Sequence, residues 1–425
     1  MEWALTIVAL ALLGVAAISR RLSGTPVTPT MLFVALGLLV GPHALGGIDV
    51  ESTSSAVRTL AEATLALVLF SDASRINLRQ LRPDVGVPVR LLGIGLPLTI
   101  GLGALAAAVI FDQITLGEAL ILGVILAPTD AALGQAVVTE PRVPTRIRQG
   151  LNVESGLNDG ICVPLLFAAV AAADVESEIS EGRSAGTLLL EEIGFGAVGG
   201  VTAGLLVAAI FLYAGRKDLI DGPWRQVIPV AGAALAYGIA SALGGSGFIA
   251  AFVGGMVFRA ALRRDPHELN QLSEELGQIL SAVTFLLFGA ILLGPALGDL
   301  SWSLGIYAVL SLTVVRMLPV TIAMVGSRAR APTLGFLGWF GPRGLASIVF
   351  AVIVVEESQL PHEHLILLAI YLTVGLSVFA HGLTAAPLAS RYASWFEAHP
   401  RDKRPPMESA PADTERARGP AKQLA

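Results

Sequence analysis

The chain is poor in the features on which a water-soluble enzyme depends. One cysteine, Cys162, occurs in 425 residues, so an internal disulfide is excluded and Cys162 reads as a small apolar filler within a helix. Charged residues make up 14%, against about a quarter in soluble domains, so water is not the main solvent of this chain. Aromatic residues reach only 6% and the net charge is -5. No basic stripe interleaved with aromatics is present, which argues against a nucleic-acid partner. No glycine-rich G-x-G-x-x-G lies between a strand and a helix, which excludes a regulatory nucleotide domain. His362, His364 and His381 lack the spacing and partners of a metal site.

What the chain does have is apolar length. It is 54% hydrophobic, holds 46 glycines and has a mean hydropathy of +0.72. This predicts an all-α membrane protein whose helices approach closely through small residues. Stretches long enough to cross a bilayer recur from residue 3 to residue 390, about thirteen in all. The fifth covers 116–138, the sixth 148–173, the eleventh 303–326 and the twelfth 332–357. The first run, Trp3 to Ile18, has no positive segment before it and Arg20-Arg21 after it, so it reads as a retained span. Residues 1–395 form one transmembrane domain. From 396 the chain turns polar and proline-rich, as in Pro400, Arg401, Asp402, Lys403, Arg404, Pro405 and Pro406, and reads as a disordered cytoplasmic tail.

Basic residues give the orientation, because loops facing the cytoplasm are enriched in them. Loops after odd-numbered spans and their flanks hold Arg20, Arg21, Arg75, Arg79, Arg82, Arg142, Arg146, Arg148, Arg216, Lys217, Arg263, Arg264, Arg328 and Arg330, among others. Loops after even-numbered spans hold only Arg58 and Arg183. The expected topology therefore has the N-terminus outside and the C-terminus in the cytoplasm of a prokaryotic cell. Arg316 and Arg343 alone fall inside spans.

Charge at membrane depth costs on the order of 2.5–3.5 kcal/mol on the mildest scale and needs a reason. In the fifth span, Ala127-Pro128-Thr129-Asp130 places a proline mid-helix, where it removes an amide donor and clashes with the preceding turn. A break is expected at Pro128, although the proline alone also fits a simple kink. In the sixth span, Asn152-Val153-Glu154-Ser155-Gly156-Leu157-Asn158-Asp159-Gly160 puts Ser155 and Asp159 on one helical face. A carboxylate flanked by a hydroxyl and an amide can coordinate a small dehydrated cation, or take a proton when the cation leaves. Asp159 could instead be an acid paired for structure with a buried arginine, and that reading carries more weight for Glu154. In the twelfth span, Gly341-Pro342-Arg343-Gly344 predicts a second break, with Arg343 in need of a carboxylate partner. Arg316, near Pro319, reads as structurally paired. Asp72 ends the third span, where an acid can also simply reach interfacial water.

Together these motifs resemble the sodium/proton exchangers of NhaP and NHE type, in span order and loop length from residue 1 to about 395. The resemblance implies two inverted six-helix repeats with broken helices at spans five and twelve, and a core domain moving against a dimerisation domain in a homodimer. It implies that Asp159 binds cation or proton, that Thr129 and Ser155 supply oxygen ligands and that Asp72 adds an acid. Asn158 would hold the crossing, Asp130 and Pro128 would support it, and Glu154 would pair with Arg343. Asn158-Asp159 in place of paired aspartates implies electroneutral exchange. Ala131 departs from the proline many members carry there, and Pro342 falls within the G-x-R-G pattern. The expected partners are membrane lipid and monovalent cations. No cofactor is expected, with Na+ and H+ as transported substrates and K+ or Li+ as alternatives to Na+.

Two other classes stay open at this level. One is a cation channel or uncoupled transporter on the same scaffold. The other is an intramembrane hydrolase, for which Ser155 near Asp159 is the one candidate nucleophile, with no histidine in those spans and no base beside Gly244-Gly245-Ser246-Gly247-Phe248.

Overall fold

The structure, a computed structural model, describes residues 2–22, 25–42, 54–75, 86–134, 137, 140–176, 185–262, 269–357, 360–398 and 408. Among these residues the chain is all-helical, with no strand. The helices are α1 (Glu2–Leu22), α2 (Pro29–Val40), α3 (Ser54–Arg75), α4 (Gly86–Ile110), α5 (Leu116–Ile125), α6 (Thr145–Glu176) and α7 (Ala185–Arg216). They continue as α8 (Gly222–Ala242), α9 (Gly247–Ala261), α10 (Gln271–Leu287), α11 (Trp302–Ala323), α12 (Ala331–Trp339), α13 (Leu345–Glu357) and α14 (Glu363–Glu397). A π-helical turn, Leu91–Gly95, lies within α4, and another, Phe288–Leu293, follows α10. Among the described residues, seven helical stretches are by length and composition able to cross a membrane, and α2, α5, α9 and most of α13 are shorter apolar helices.

Two of the expected spans are interrupted. Helix α5 stops at Ile125 and α12 stops at Trp339, with α13 resuming at Leu345. In each case a proline sits three residues past the last helical position, Pro128 or Pro342, and has no amide with which to continue the ladder. Proline is not sufficient, since Pro164, Pro229 and Pro387 lie inside the continuous helices α6, α8 and α14.

Helix α5 packs on α4 and α6, α9 on α7 and α3, α10 on α3 and α2, and α11 on α14. Small residues permit the approach, as expected where lipid is as apolar as the side chains. A Cβ on Gly160 would overlap the ring of Phe252, where α6 meets α9. Phe70 and Phe258 are fully buried with ring centroids 6.0 Å apart, joining α3 to α9.

The start of α5 is fixed by a capping box. Thr115 Oγ1 accepts from Glu118 N, and Glu118 Oε2 accepts from Thr115 N at 2.8 Å. The same buried carboxylate accepts from His362 N at 2.8 Å and lies 3.0 Å from His362 Nδ1, tying this end of α5 to the beginning of α14.

Of the tail expected from residue 396, α14 takes Phe396 and Glu397, while residues 399–407 and 409–425 lie outside the described residues. Glu408 is buried, accepting from Arg330 N and Thr333 Oγ1 at the start of α12.

Glu118→Ala strands the amides of Thr115 and His362 and is expected to destabilise the protein by about 1–3 kcal/mol. A clearly lowered melting temperature of the detergent-solubilised protein checks this.

Candidate functional site

The two interruptions face one another, and each supplies what the other's backbone lacks. Helix ends leave unsatisfied carbonyls and amides, and they carry partial charge, negative at the C-terminus and positive at the N-terminus. Arg343 Nη1 donates to Ala127 O at 3.0 Å and Pro128 O at 3.4 Å, placing a cation at the C-terminal end of α5. Asp130 Oδ2 accepts from Leu345 N at 3.1 Å, placing an anion at the N-terminus of α13. Asp130 N donates to Pro342 O at 2.8 Å, and Ser347 Oγ to Ile125 O at 2.7 Å.

Glycine is required twice in this crossing. A Cβ on Gly344 would overlap the Asp130 carboxylate, and one on Gly341 would overlap the Arg316 guanidinium. The Gly341-Pro342-Arg343-Gly344 motif is thus a close-approach motif as well as a helix break.

Helix α6 grips the first break. Ser155 Oγ donates to Thr129 O at 2.5 Å and accepts from Ala131 N at 2.8 Å. Asn158 Nδ2 donates to Thr129 Oγ1 at 2.8 Å. Ser155, Asn158 and Thr129 are all buried. One residue on, the Oδ1 atoms of Asn158 and Asp159 are buried acceptors without a hydrogen-bond partner among the described residues. The negative charges of Asp130 and Asp72 act on Asp159. A carboxylate oxygen left unpaired beside two other acids is costly unless a cation or proton joins it.

Glu154, one turn of α6 from Asn158, accepts from Arg316 Nη1 at 2.6 Å and Nη2 at 2.8 Å, with both side chains buried. This corrects the expectation that Glu154 pairs with Arg343. Arg316 reaches from α11 in the bidentate geometry that a buried pair requires. Among the described residues Arg343 has no carboxylate at ion-pair distance, and the carbonyls at the end of α5 take the place of one. The structural pairing expected of Arg316 is therefore present, with Glu154 as its partner.

Asp72 lies at the end of α3, 3.8 Å from Arg75, which also reaches Glu274 at 3.2 Å. Its charge reaches Asp130 and Asp159, but among the described residues no hydrogen bond links it to Thr129 or Ser155. A cavity of about 10 Å³, room for one water molecule, is lined by Thr129, Asp130, Ser155, Phe340 and Pro342 among others. Asp159 is not among the residues lining it. No three His, Cys, Asp or Glu side chains among the described residues group as a metal site. Cys162 is buried and free.

Sequence reasoning missed Ser377 and Ser347 and weighed His381 only as a metal ligand. Ser377 Oγ accepts from Arg343 N at 2.7 Å, and the buried His381 lies with Nε2 3.0 Å from Trp339 O. Their only signal was polarity on otherwise apolar helices.

Two crossed, interrupted helices that cap one another at membrane depth define the discontinuous-helix class of membrane transporters. Within it the chain belongs to the sodium/hydrogen exchanger family: residues 7–391 match the family described as "Sodium/hydrogen exchanger, transmembrane". It is similar to the K(+)/H(+) antiporter NhaP of Alkalimonas amylolytica, 26% identical over 93% of this chain and 67% of that one. It is also similar to the Na(+)/H(+) antiporter of Schizosaccharomyces pombe, 28% identical over 74% of this chain and 71% of that one. The chain spans about two thirds of the length of the bacterial relatives it matches. Its fold is shared with the sodium proton antiporter MjNhaP1 from Methanocaldococcus jannaschii, with a TM-score of 0.74 at 20% identity over 92% of this chain and 98% of that one.

Arg316→Met alone strands the buried Glu154 and is expected to cost about 3–5 kcal/mol, whereas Arg316→Met with Glu154→Leu recovers much of it. Melting temperatures of the single and double variants decide this, and a single variant as stable as the double would contradict the pairing.

Proposed function

We propose that the chain is a secondary antiporter that exchanges a monovalent cation for a proton at Asp159 in the cytoplasmic membrane of a prokaryote. The observation that carries this reading is the Asp159 carboxylate, with a buried oxygen left unpartnered where α6 meets the first break. Membership of the family and the names of the relatives, K(+)/H(+) and Na(+)/H(+) antiporters, support the same class of substrate. Na+ is the favoured cation, with K+ and Li+ as alternatives.

One carboxylate serves two competing ligands, since a proton on it removes the charge that holds the cation. Thr129 and Ser155 complete the oxygen set. The Thr129 carbonyl accepts one hydroxyl and keeps a second lone pair, and Ser155 Oγ likewise keeps one after accepting from Ala131 N. Asp72 adds a charge in reach of the site. The single acid of Asn158-Asp159 carries one cation against one proton, an electroneutral exchange. No cofactor takes part.

The exchange runs by alternating access in this reading. Helices α4, α5, α6, α11, α12, α13 and α14 form a core that moves against the rest, and the remaining helices make a homodimer within the lipid. The thirteen spans form two inverted six-helix repeats, with the breaks in corresponding places, the N-terminus outside and the C-terminus in the cytoplasm.

In everted vesicles, Asp159→Asn is expected to abolish the cation-dependent collapse of a pH gradient, and retained activity would refute the assignment. Competition also predicts that apparent cation affinity weakens as pH falls, by up to about tenfold per pH unit where the carboxylate is mostly protonated. An affinity independent of pH between 6 and 9 would argue for an uncoupled pathway.

A further inference from the structure

The second break is held by a pair of residues on α14 that touch none of the proposed ion ligands. Trp339 O is the last carbonyl of α12, and it faces His381 Nε2 at 3.0 Å. A carbonyl can only accept, and each ring nitrogen faces one, Nε2 the Trp339 carbonyl at 3.0 Å and Nδ1 the Ser377 carbonyl at 3.1 Å; we assign the proton to Nε2, which leaves Nδ1 as an acceptor. Nδ1 lies 3.2 Å from Ser377 Oγ, one helical turn earlier, and in this tautomer accepts its hydroxyl proton. Ser377 Oγ in turn accepts from Arg343 N at 2.7 Å. With the proton on Nε2, one neutral histidine satisfies the chain Arg343 N–H to Ser377 to His381 to Trp339 O, and the Ser377 carbonyl receives no proton from the ring. The Trp339 ring lies against the imidazole with centroids 4.9 Å apart, and its Nε1 donates to Thr384 Oγ1 at 2.9 Å, which fixes the imidazole from the same helix.

Both lips of the break, Trp339 before it and Arg343 after it, are therefore anchored to α14. What lies between them meets the first break. Pro342 O accepts from Asp130 N, and the Arg343 guanidinium donates to Ala127 O and Pro128 O, immediately before Thr129. We propose that His381, acting with Ser377, is a positioning residue that sets the register of the second break against the first, and so the placement of Thr129 and Asp130 around the cation. This rests on the antiport reading above.

The test is cation-driven proton flux by purified protein in liposomes, with Na+ and K+ assayed separately at fixed pH. Wild type, Asp159→Asn, His381→Gln, His381→Asn, His381→Leu and Ser377→Ala are compared. A glutamine amide nitrogen falls where Nε2 lies, whereas that of asparagine falls at Nδ1 and cannot reach Trp339 O. His381→Gln should keep the apparent KM within about threefold of wild type, while His381→Asn and His381→Leu raise it about tenfold, with a smaller change in maximum rate. Ser377→Ala should raise KM as well. The proposal is overturned if His381→Asn lowers the melting temperature but leaves KM unmoved, or if His381→Gln is as impaired as His381→Asn. A wild type without cation-dependent flux overturns the antiport reading and this proposal together. An active wild type with inert Asp159→Asn and unaltered His381 variants overturns this proposal alone.

Discussion

Backbone cannot be left unpaired at membrane depth, and this chain interrupts two helices there. The constraint is met by reciprocity. Asp130 from the first break neutralises the N-terminus of α13, and Arg343 from the second neutralises the C-terminal end of α5. Each charge that would be costly in the bilayer sits at a helix end of opposite partial charge, and each interruption depends on the other for its hydrogen bonds. The rest of the central structure keeps these two breaks in register.

Three helices do that work. From α6, Ser155 and Asn158 hold Thr129; from α14, Ser377 and His381 hold the edges of the second break; from α11, Arg316 lies against Gly341 and pairs with Glu154. The Glu154–Arg316 pair brings two full charges into the interior, and desolvation offsets most of their attraction, so it contributes little net stability. Its value is geometric, because it locks α6 to α11 directly beside the crossing. Of the buried atoms at the crossing left without a partner among the described residues, which include Asn158 Oδ1, Arg316 Nε and Arg343 Nη2, only the Asp159 oxygen belongs to a carboxylate, and there we place the exchangeable ligand.

Much of this was legible in the chain itself. The helix breaks followed from Pro128 and Pro342, and the acid of interest from Asp159 beside Ser155 in an apolar stretch. Yet Pro164, Pro229 and Pro387 occupy equally apolar stretches without ending their helices. What separates the two groups is a partner. The carbonyls and amides freed at Pro128 and Pro342 are taken up by the other break, and such a partner becomes visible only when distant segments are brought together.

The sequence by itself determined the solvent, the family and the motifs, because hydropathy, loop charge and local residue order are properties of contiguous segments. Tertiary structure alone decided which charge meets which. Glu154 and Arg316 are 162 positions apart, and no local pattern distinguishes Arg316 from Arg343 as the partner of an acid. The distinction lies in reach. Arg316 approaches the α6 carboxylate end-on from α11, while Arg343, held within a break, faces the carbonyls of α5 and finds its negative charge in a helix terminus instead of a side chain.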